Sequence, residues 1–360
     1  MEIGFLIFFV FFFTLFASEE RALEELQRTL DCPLSSSVTV KKLAGMTNEN
    51  FLVLDKEKKY FVRLPGFETA RFIDRFSENY NSQHAYQFYF NPANCLFCDS
   101  EKGVRITEYI EGFSTLKFED VYEEEVLANI ASLLLSIHSS AMPFKNTIDI
   151  FERIRLLTDV LIERTVHFPK EYFLAKKEIE KLKPLLAAPL FERVPTHGDP
   201  VPGNFLVFHD RLMLFDWEYS GLNDPAWDLA FLASVMDFPH DLERKFISLY
   251  SGFPCDLLHA KLIFFKPIIE FWLGLWGLLQ SQTYEDSDEK AFFSYFALAH
   301  LRKSLNFFWC PEKQITSQHL MGDLPPPKPA FNHWVCPSCG ILNSIQKIHC
   351  VGRNCPSKVS

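Results

Sequence analysis

THGDPVPGNFLVFHDRLMLFDWEY, residues 196–219, is the stretch whose reading decides what this chain is. His197, Asp199 and Asn204 fall in the pattern HxDxxxxN, and Asp216 ends the apolar run RLMLFD twelve residues after Asn204. One carboxylate that can take a proton from an attacking hydroxyl, with an Asn and a second Asp as hard oxygen donors, is a layout for phosphoryl transfer on Mg²⁺. Pro200, Pro202 and Gly203 make the stretch between base and metal ligand a tight loop, which sets their separation. A polar turn before a hairpin explains an isolated HxD, but not the full set with Asp216 at hairpin distance.

Upstream of this segment the pattern is strand-rich. Residues 19–31 (EERALEELQRTLD) space leucines at helical intervals behind acidic residues and predict a short amphipathic helix. VTVKKLAG (38–45), NFLVLD (50–55) and YFVRLP (60–65) predict three strands, with KEKK as the hairpin turn between the last two. A helix is expected from 73 and a further strand at VRITEYI (104–110). From about 120 helical patterns dominate, interrupted by the loop-and-strand insert at 194–225. A small strand-rich lobe followed by a larger helical one is the resulting α+β architecture.

These segments resemble the kinase-like phosphotransferases that include choline and ethanolamine kinases and aminoglycoside phosphotransferases. HGDPVPGN, LFDWEY and NDPAWDLA (223–230) carry that resemblance. LAGMTNENFLV (43–53), YFVRLPG (60–66), FIDRFSENYNSQHA (72–85), VRITEYIEG (104–112), LLLSIHSS (133–140) and FWLGLWGLLQ (271–280) resemble the bacterial choline kinase group, in order along residues 20–310. The resemblance implies a two-lobed protein-kinase-like fold using ATP and Mg²⁺. It implies Asp199 as catalytic base, His197 as a brace of the catalytic loop, and Asn204 and Asp216 as Mg²⁺ ligands. Arg63 would stand where protein kinases place their ATP-binding Lys; permanently charged and forked, it keeps that role. Glu78, or Asp74 one turn earlier, would orient Arg63. Thr47 and Asn48 would help cradle phosphates in a loop with a single Gly, and adenine would lie against main-chain groups near Glu108 to Ile110.

A quaternary ammonium makes no hydrogen bonds and is recognised by aromatic faces and a balancing carboxylate. Trp217, Glu218 and Tyr219 directly follow Asp216, Trp227 and Asp228 follow soon after, and Trp272 and Trp276 share one predicted helix face. The resemblance implies that FWLGLWGLLQ helps wall a choline site; core packing is the plainer reading of two Trp four apart. Choline phosphorylation is the leading expectation, with ethanolamine, thiamine or aminoglycoside kinases as alternatives. A non-catalytic kinase-like adaptor presenting a zinc finger is the reading from another class, and the intact His197, Asp199, Asn204 and Asp216 oppose it.

The two ends differ from the body. Seven of the 38 Phe lie in the first 16 residues, within an apolar run shorter than the roughly 20 residues that span a bilayer. Membrane association, a signal-like segment and a wrongly chosen start codon are the open readings of residues 1–18. At the other end, WVCPSCGILNSIQKIHCVGRNC (334–355) sets Cys336, Cys339, Cys350 and Cys355 at spacings that suit a four-thiolate Zn²⁺ site. It resembles the Ran-binding-protein type of zinc finger, which implies an RNA or protein partner, although that family closes with a shorter cysteine spacing. Residues 333–360 hold three basic residues and no acid, so the chain's net charge of −10 belongs to the body and argues against a general nucleic-acid binder. The other cysteines show no disulfide pattern, Cys95 and Cys98 read as packing or strand positions, and a reduced cytoplasmic setting fits. The expected organisation is a hydrophobic segment 1–18, N-lobe with hinge 19–112, C-lobe 113–312, Pro-rich linker 313–332 and zinc ribbon 333–358.

Overall fold

The computed structural model describes residues 18–43, 45, 47–66, 69–89, 95–109, 111–208, 211–284, 287–309, 333–335 and 342–344. The chain divides into two compact units, Met1–Ser114 and Thr115–Ser360.

The first unit opens with helix α1 (18–30), followed by strands β1 (Thr39–Leu43), β2 (Asn48–Asp55) and β3 (Lys58–Pro65). Helix α2 (Arg75–Tyr89), β4 (Cys95–Cys98) and β5 (Arg105–Glu108) complete it. The five strands form one sheet in the order β1-β2-β3-β5-β4, antiparallel at every pairing. Asp55 pairs with Lys58, so Lys56 and Glu57 alone make the β2–β3 turn. Lys56 takes a positive φ of 58°, the sense that a two-residue hairpin needs to match strand twist. Alternation then sorts the side chains. Phe51, Val53, Val62, Leu64 and Ile106 are fully buried in one cluster with Ala22 and Leu26 of α1. Arg63 and Arg105, directly paired across β3 and β5, emerge on the opposite face and bond to α2. The sheet is thus covered by a helix on each side, which explains why β3 buries Val62, Arg63 and Leu64 in succession. Cys95 and Cys98 occupy the edge strand, and the described cysteines 32, 95, 98 and 255 are free thiols.

β6 (Ser114–Thr115) falls at the division. The second unit is built on helices α3 (Glu124–His138), α4 (Ile150–Glu163), α5 (Lys170–Ile179), α6 (Ala226–Val235), α7 (His240–Ser251), α8 (Asp256–Thr283) and α9 (Ser287–Trp309). α8 has the length and apolarity of a membrane span, yet 94% of its most apolar stretch is buried, as befits a core helix. α8 and α9 pack along one another at close range. A Cβ at Gly274 would come within 2.7 Å of Leu301, and one at Gly277 within 2.8 Å of Phe296, so only glycine admits this approach. Four short strands, β7 (Val194–Thr196), β8 (Phe205–Phe208), β9 (Arg211–Leu214) and β10 (Gly221–Asn223), pair as β7–β10 and β8–β9. They interrupt the helices where the sequence places its loop-and-strand insert. β11 (His333–Val335) and β12 (Leu342–Ser344) form an antiparallel pair in the tail; Cys336, Cys339, Cys350 and Cys355, like residues 1–17, lie outside the described residues.

Candidate active site

His197, Asp199 and Asn204 lie on the loop between β7 and β8, and Asp216 directly follows the β8–β9 hairpin. That hairpin draws Asn204 and Asp216 together: the Phe215 N–H donates to the Asn204 carbonyl at 2.9 Å. Asn204 Nδ2 donates to the Asp199 carbonyl at 2.9 Å and to its Oδ2 at 3.2 Å. Asn204 therefore ties the candidate base to the hairpin. Asp216 sits in the left-handed region at φ 63°, ψ 66°, which Asp tolerates better than most residues. Asp199, Asn204 and Asp216 are all half-buried. Desolvation, with the carboxylates of Asp216 and Glu218 nearby, pushes the Asp199 carboxyl well above its ordinary range.

His197 is fully buried. Its Nε2 donates to the Phe215 carbonyl at 2.7 Å, and its Nδ1 accepts from the Asp199 N–H at 3.3 Å. These two bonds suit the neutral tautomer, and burial lowers the imidazole pKa accordingly. His197 thus links the start of the loop to the end of the hairpin. Gly198, at φ +88°, cannot be replaced without overlap, because a Cβ there would run into the Tyr219 carbonyl oxygen.

Asp228 on α6 has a place that sequence reasoning did not anticipate. The sequence sets it close to the aromatic candidates, but it is fully buried beneath the loop. Oδ2 accepts from the His197 N–H at 2.8 Å and Oδ1 from the Gly198 N–H at 2.8 Å. His138 Nε2 lies 3.0 Å from Oδ2, and the Tyr250 hydroxyl lies 2.9 Å from His138 Nδ1. A buried carboxylate is tolerable only when it is fully bonded, and this one is bonded to the two peptides that lead into Asp199. The presence of Asp in NDPAWDLA and His in LLLSIHSS was the only available signal; neither spacing indicates the bond.

Among the aromatic candidates, Tyr219 and Trp272 meet edge to face at 5.9 Å. Trp217 is fully buried and packs on His197 at 4.8 Å, so it supports the loop. Glu218 is buried within the same turn. Trp276 instead packs on Phe293 and Phe296 of α9, at 5.7 and 5.8 Å. One helical turn separates it from Trp272, enough to move it from the Tyr219 neighbourhood into the α8–α9 seam. Trp227 caps the loop from below, its Nε1 donating to the Gly198 carbonyl at 3.1 Å.

In the first unit, Arg63 donates to Glu78 Oε1, and Arg75 to Glu78 Oε2 at 2.7 Å. Arg105 approaches the same carboxylate at 3.7 Å. These guanidinium groups overcome the burial cost and hold Glu78 down to about 2. Asp74 is not the partner of Arg63: its carboxylate accepts from Phe76 N, Ser77 N and Ser77 Oγ at the start of α2. Asn48 is buried, and its Oδ1 accepts from Arg75 at 3.2 Å, so this amide faces the arginine cluster. The carbonyl of Thr47 lies where a Cβ of Gly66 would be, which folds the candidate phosphate loop closely on the end of β3. Glu108 ends β5 with its side chain exposed, and Ile110 lies outside the described residues.

A strand-rich unit with an Arg–Glu pair, followed by a helical unit carrying this braced loop, defines a phosphotransferase of kinase-like architecture. Residues 39–259, more than half of the chain, match the phosphotransferase enzyme family, and the chain belongs to it. Protein LicA of Haemophilus influenzae is 31% identical over 201 residues; the match covers 54% of this chain and 57% of that protein's length. Among solved structures, choline kinase LicA from Streptococcus pneumoniae superposes with a TM-score of 0.64 at 30% identity, covering 78% of this chain and 98% of that one. A choline/ethanolamine kinase family protein from Mesorhizobium loti gives 0.64 at 26% identity, covering 79% and 93%.

Proposed function

We propose that this protein transfers the γ-phosphoryl group of ATP to the hydroxyl of a small cationic alcohol, choline, releasing phosphocholine. The observation that carries the proposal is the grip of Asn204 on Asp199, within a segment that runs on into the Tyr219–Trp272 pair. Asp199 would accept the hydroxyl proton and align its oxygen. Because the transition state of phosphoryl transfer is loose, alignment and charge neutralisation matter more than the strength of the base.

The donor set suits Mg²⁺. Asp199, Asn204 and Asp216 offer hard oxygens, and the burial and neighbouring carboxylates that raise Asp199 are what a divalent cation would offset. Asn204 and Asp216 would hold the ion, which when bound neutralises charge on the phosphate oxygens. Arg63, held by Glu78, would fork onto phosphate oxygens, with Thr47 and Asn48 in the covering loop and main chain at Glu108 to Ile110 against adenine. Tyr219 and Trp272 would supply ring faces to the ammonium head, and Glu218 the balancing charge. Trp276 would support this wall through the helix seam. The LicA relatives support choline over thiamine and aminoglycosides.

For the tail, Cys336, Cys339, Cys350 and Cys355 would hold a structural Zn²⁺, and its basic surface would meet an RNA or protein partner. Residues 1–18 would add membrane association to a cytoplasmic enzyme. ATP consumption with choline, ethanolamine, thiamine and kanamycin tests the function directly. The proposal expects stimulation by choline; stimulation by none of the four contradicts it and favours an adaptor.

A further inference from the structure

In the segment that continues from Asp216, the carbonyls of Trp217, Tyr219, Ser220 and Gly221 accept hydrogen bonds from within the protein. The Trp217 carbonyl accepts from Ser220 N at 3.1 Å and from Ser220 Oγ at 2.6 Å. The Tyr219 carbonyl accepts from Arg153 Nη1 at 2.9 Å, and the Ser220 carbonyl from Asn146 Nδ2 at 2.8 Å. Thr196 Oγ1 takes the Gly221 carbonyl at 2.8 Å. Arg153 does more than donate: its guanidinium lies 5.7 Å from the centroid of the Tyr219 ring, on which Trp272 packs edge to face. A half-buried cation from α4 therefore holds both the carbonyl and one face of the residue that would wall the substrate's head.

The chemistry of the two candidate heads differs in one respect. A primary ammonium carries three N–H donors, and each needs an acceptor once water is removed. A quaternary ammonium carries none and is satisfied by ring faces. With the Trp217, Tyr219 and Ser220 carbonyls bonded within the protein, a primary head would find chiefly the Glu218 carboxylate for its three N–H donors, whereas the ring faces and that charge suffice for a quaternary head. Selection by withholding acceptors is a form of specificity by exclusion.

We propose that Arg153 is a positioning and specificity residue that biases this site toward a quaternary ammonium and against a primary one, by taking the Tyr219 carbonyl and one ring face for itself. The inference rests on the proposed cationic-alcohol kinase activity. It assigns Arg153 no contact with the reacting atoms.

The test compares kcat/KM for choline and for ethanolamine, with ATP and Mg²⁺, in the full chain and in Arg153→Met and Arg153→Lys. Freeing a carbonyl for a charged donor is worth roughly tenfold or more, so Arg153→Met should lower the choline-to-ethanolamine ratio about tenfold, with the KM for ATP unchanged. Arg153→Lys, which can still donate, should restore most of the ratio. A purely structural role would lower both substrates together, and an unchanged ratio in active Arg153→Met overturns the inference. Should that variant fail to fold, inhibition of the native enzyme by tetramethylammonium and by methylammonium decides: tighter methylammonium binding overturns the inference. Native enzyme that phosphorylates neither alcohol overturns the kinase reading and this inference together; preference for ethanolamine overturns only the inference.

Discussion

Asn204 Nδ2 contacts Asp199 twice, at the main-chain carbonyl and at Oδ2, while the Asn204 carbonyl accepts from the end of the β8–β9 hairpin. One amide side chain thereby fixes the distance between the candidate base and the hairpin that carries Asp216. Replacing Asn204 with Ala should reduce kcat by about 10²–10³-fold, the scale seen when a charge-positioning group is removed. The unfolding temperature should move little, because Asn204 is half-buried. Steady-state kinetics beside thermal unfolding check this; a loss of stability with kcat intact contradicts it.

Asp228 should matter for turnover although it lies beneath the loop and is bonded to its main chain. Asp228→Asn keeps the shape but replaces one of two acceptors by a donor facing a peptide N–H. A bond to a charged group is worth about 1.5–3 kcal/mol, so kcat should fall roughly 10–100-fold with the KM values for both substrates little changed. A rise in KM at unchanged kcat would place Asp228 in substrate binding instead.

Trp272 and Trp276 should separate. Removing the Trp272 ring should raise KM for choline by roughly tenfold, within the range of about 0.5–2 kcal/mol for a cation over a ring, and leave KM for ATP alone. Trp276→Ala should chiefly lower the unfolding temperature, since its ring lies among Phe293 and Phe296. Equal KM effects from both variants would contradict the geometry.

Glu78 gives a pH dependence with a definite sign. Its folded pKa, about 2, is below the ordinary value of 4.5. The stabilisation is therefore complete above about 4.5 and is lost as pH falls from there toward about 2. The difference corresponds to on the order of 3 kcal/mol. Urea unfolding of the native protein and of Glu78→Gln should show a gap of that order at neutral pH that narrows on acidification. A gap that is constant with pH would mean that Glu78 acts by packing alone.

Much of this site could be read along the chain because its parts are close in sequence. HxDxxxxN and the Asp216 hairpin lie within 196–219, and the runs NFLVLD and YFVRLP coincide with β2 and β3. The Arg63–Glu78 pair was narrowed to two carboxylates, and the structure separates them because Asp74 is engaged in starting α2. The braces were not legible. His138 meets Asp228 across 90 residues, and Arg153 meets Tyr219 across 66. A His or Arg at helical spacing looks the same in sequence whether it meets a carboxylate or carbonyl or only fills space. Trp276 illustrates the converse: a shared helix face with Trp272 leaves wall and core packing both open in the sequence, and the structure sets its ring against Phe293 and Phe296 of α9.

The tail makes an independent prediction. Some 28 residues bury too little to fold alone, so Cys336, Cys339, Cys350 and Cys355 should bring about one Zn²⁺ per chain. Truncation near residue 325 should remove that zinc and preserve choline-dependent ATP consumption. Zinc content unchanged by truncation would contradict the assignment.

The central claim is tested most directly by Asp199→Asn in a choline-dependent ATPase assay paired with ATP binding. The native protein should release ADP only when choline is present. The variant should bind ATP with similar affinity and show no choline-dependent turnover, because the group that aligns the hydroxyl is gone. Normal turnover in Asp199→Asn would contradict the account at its centre.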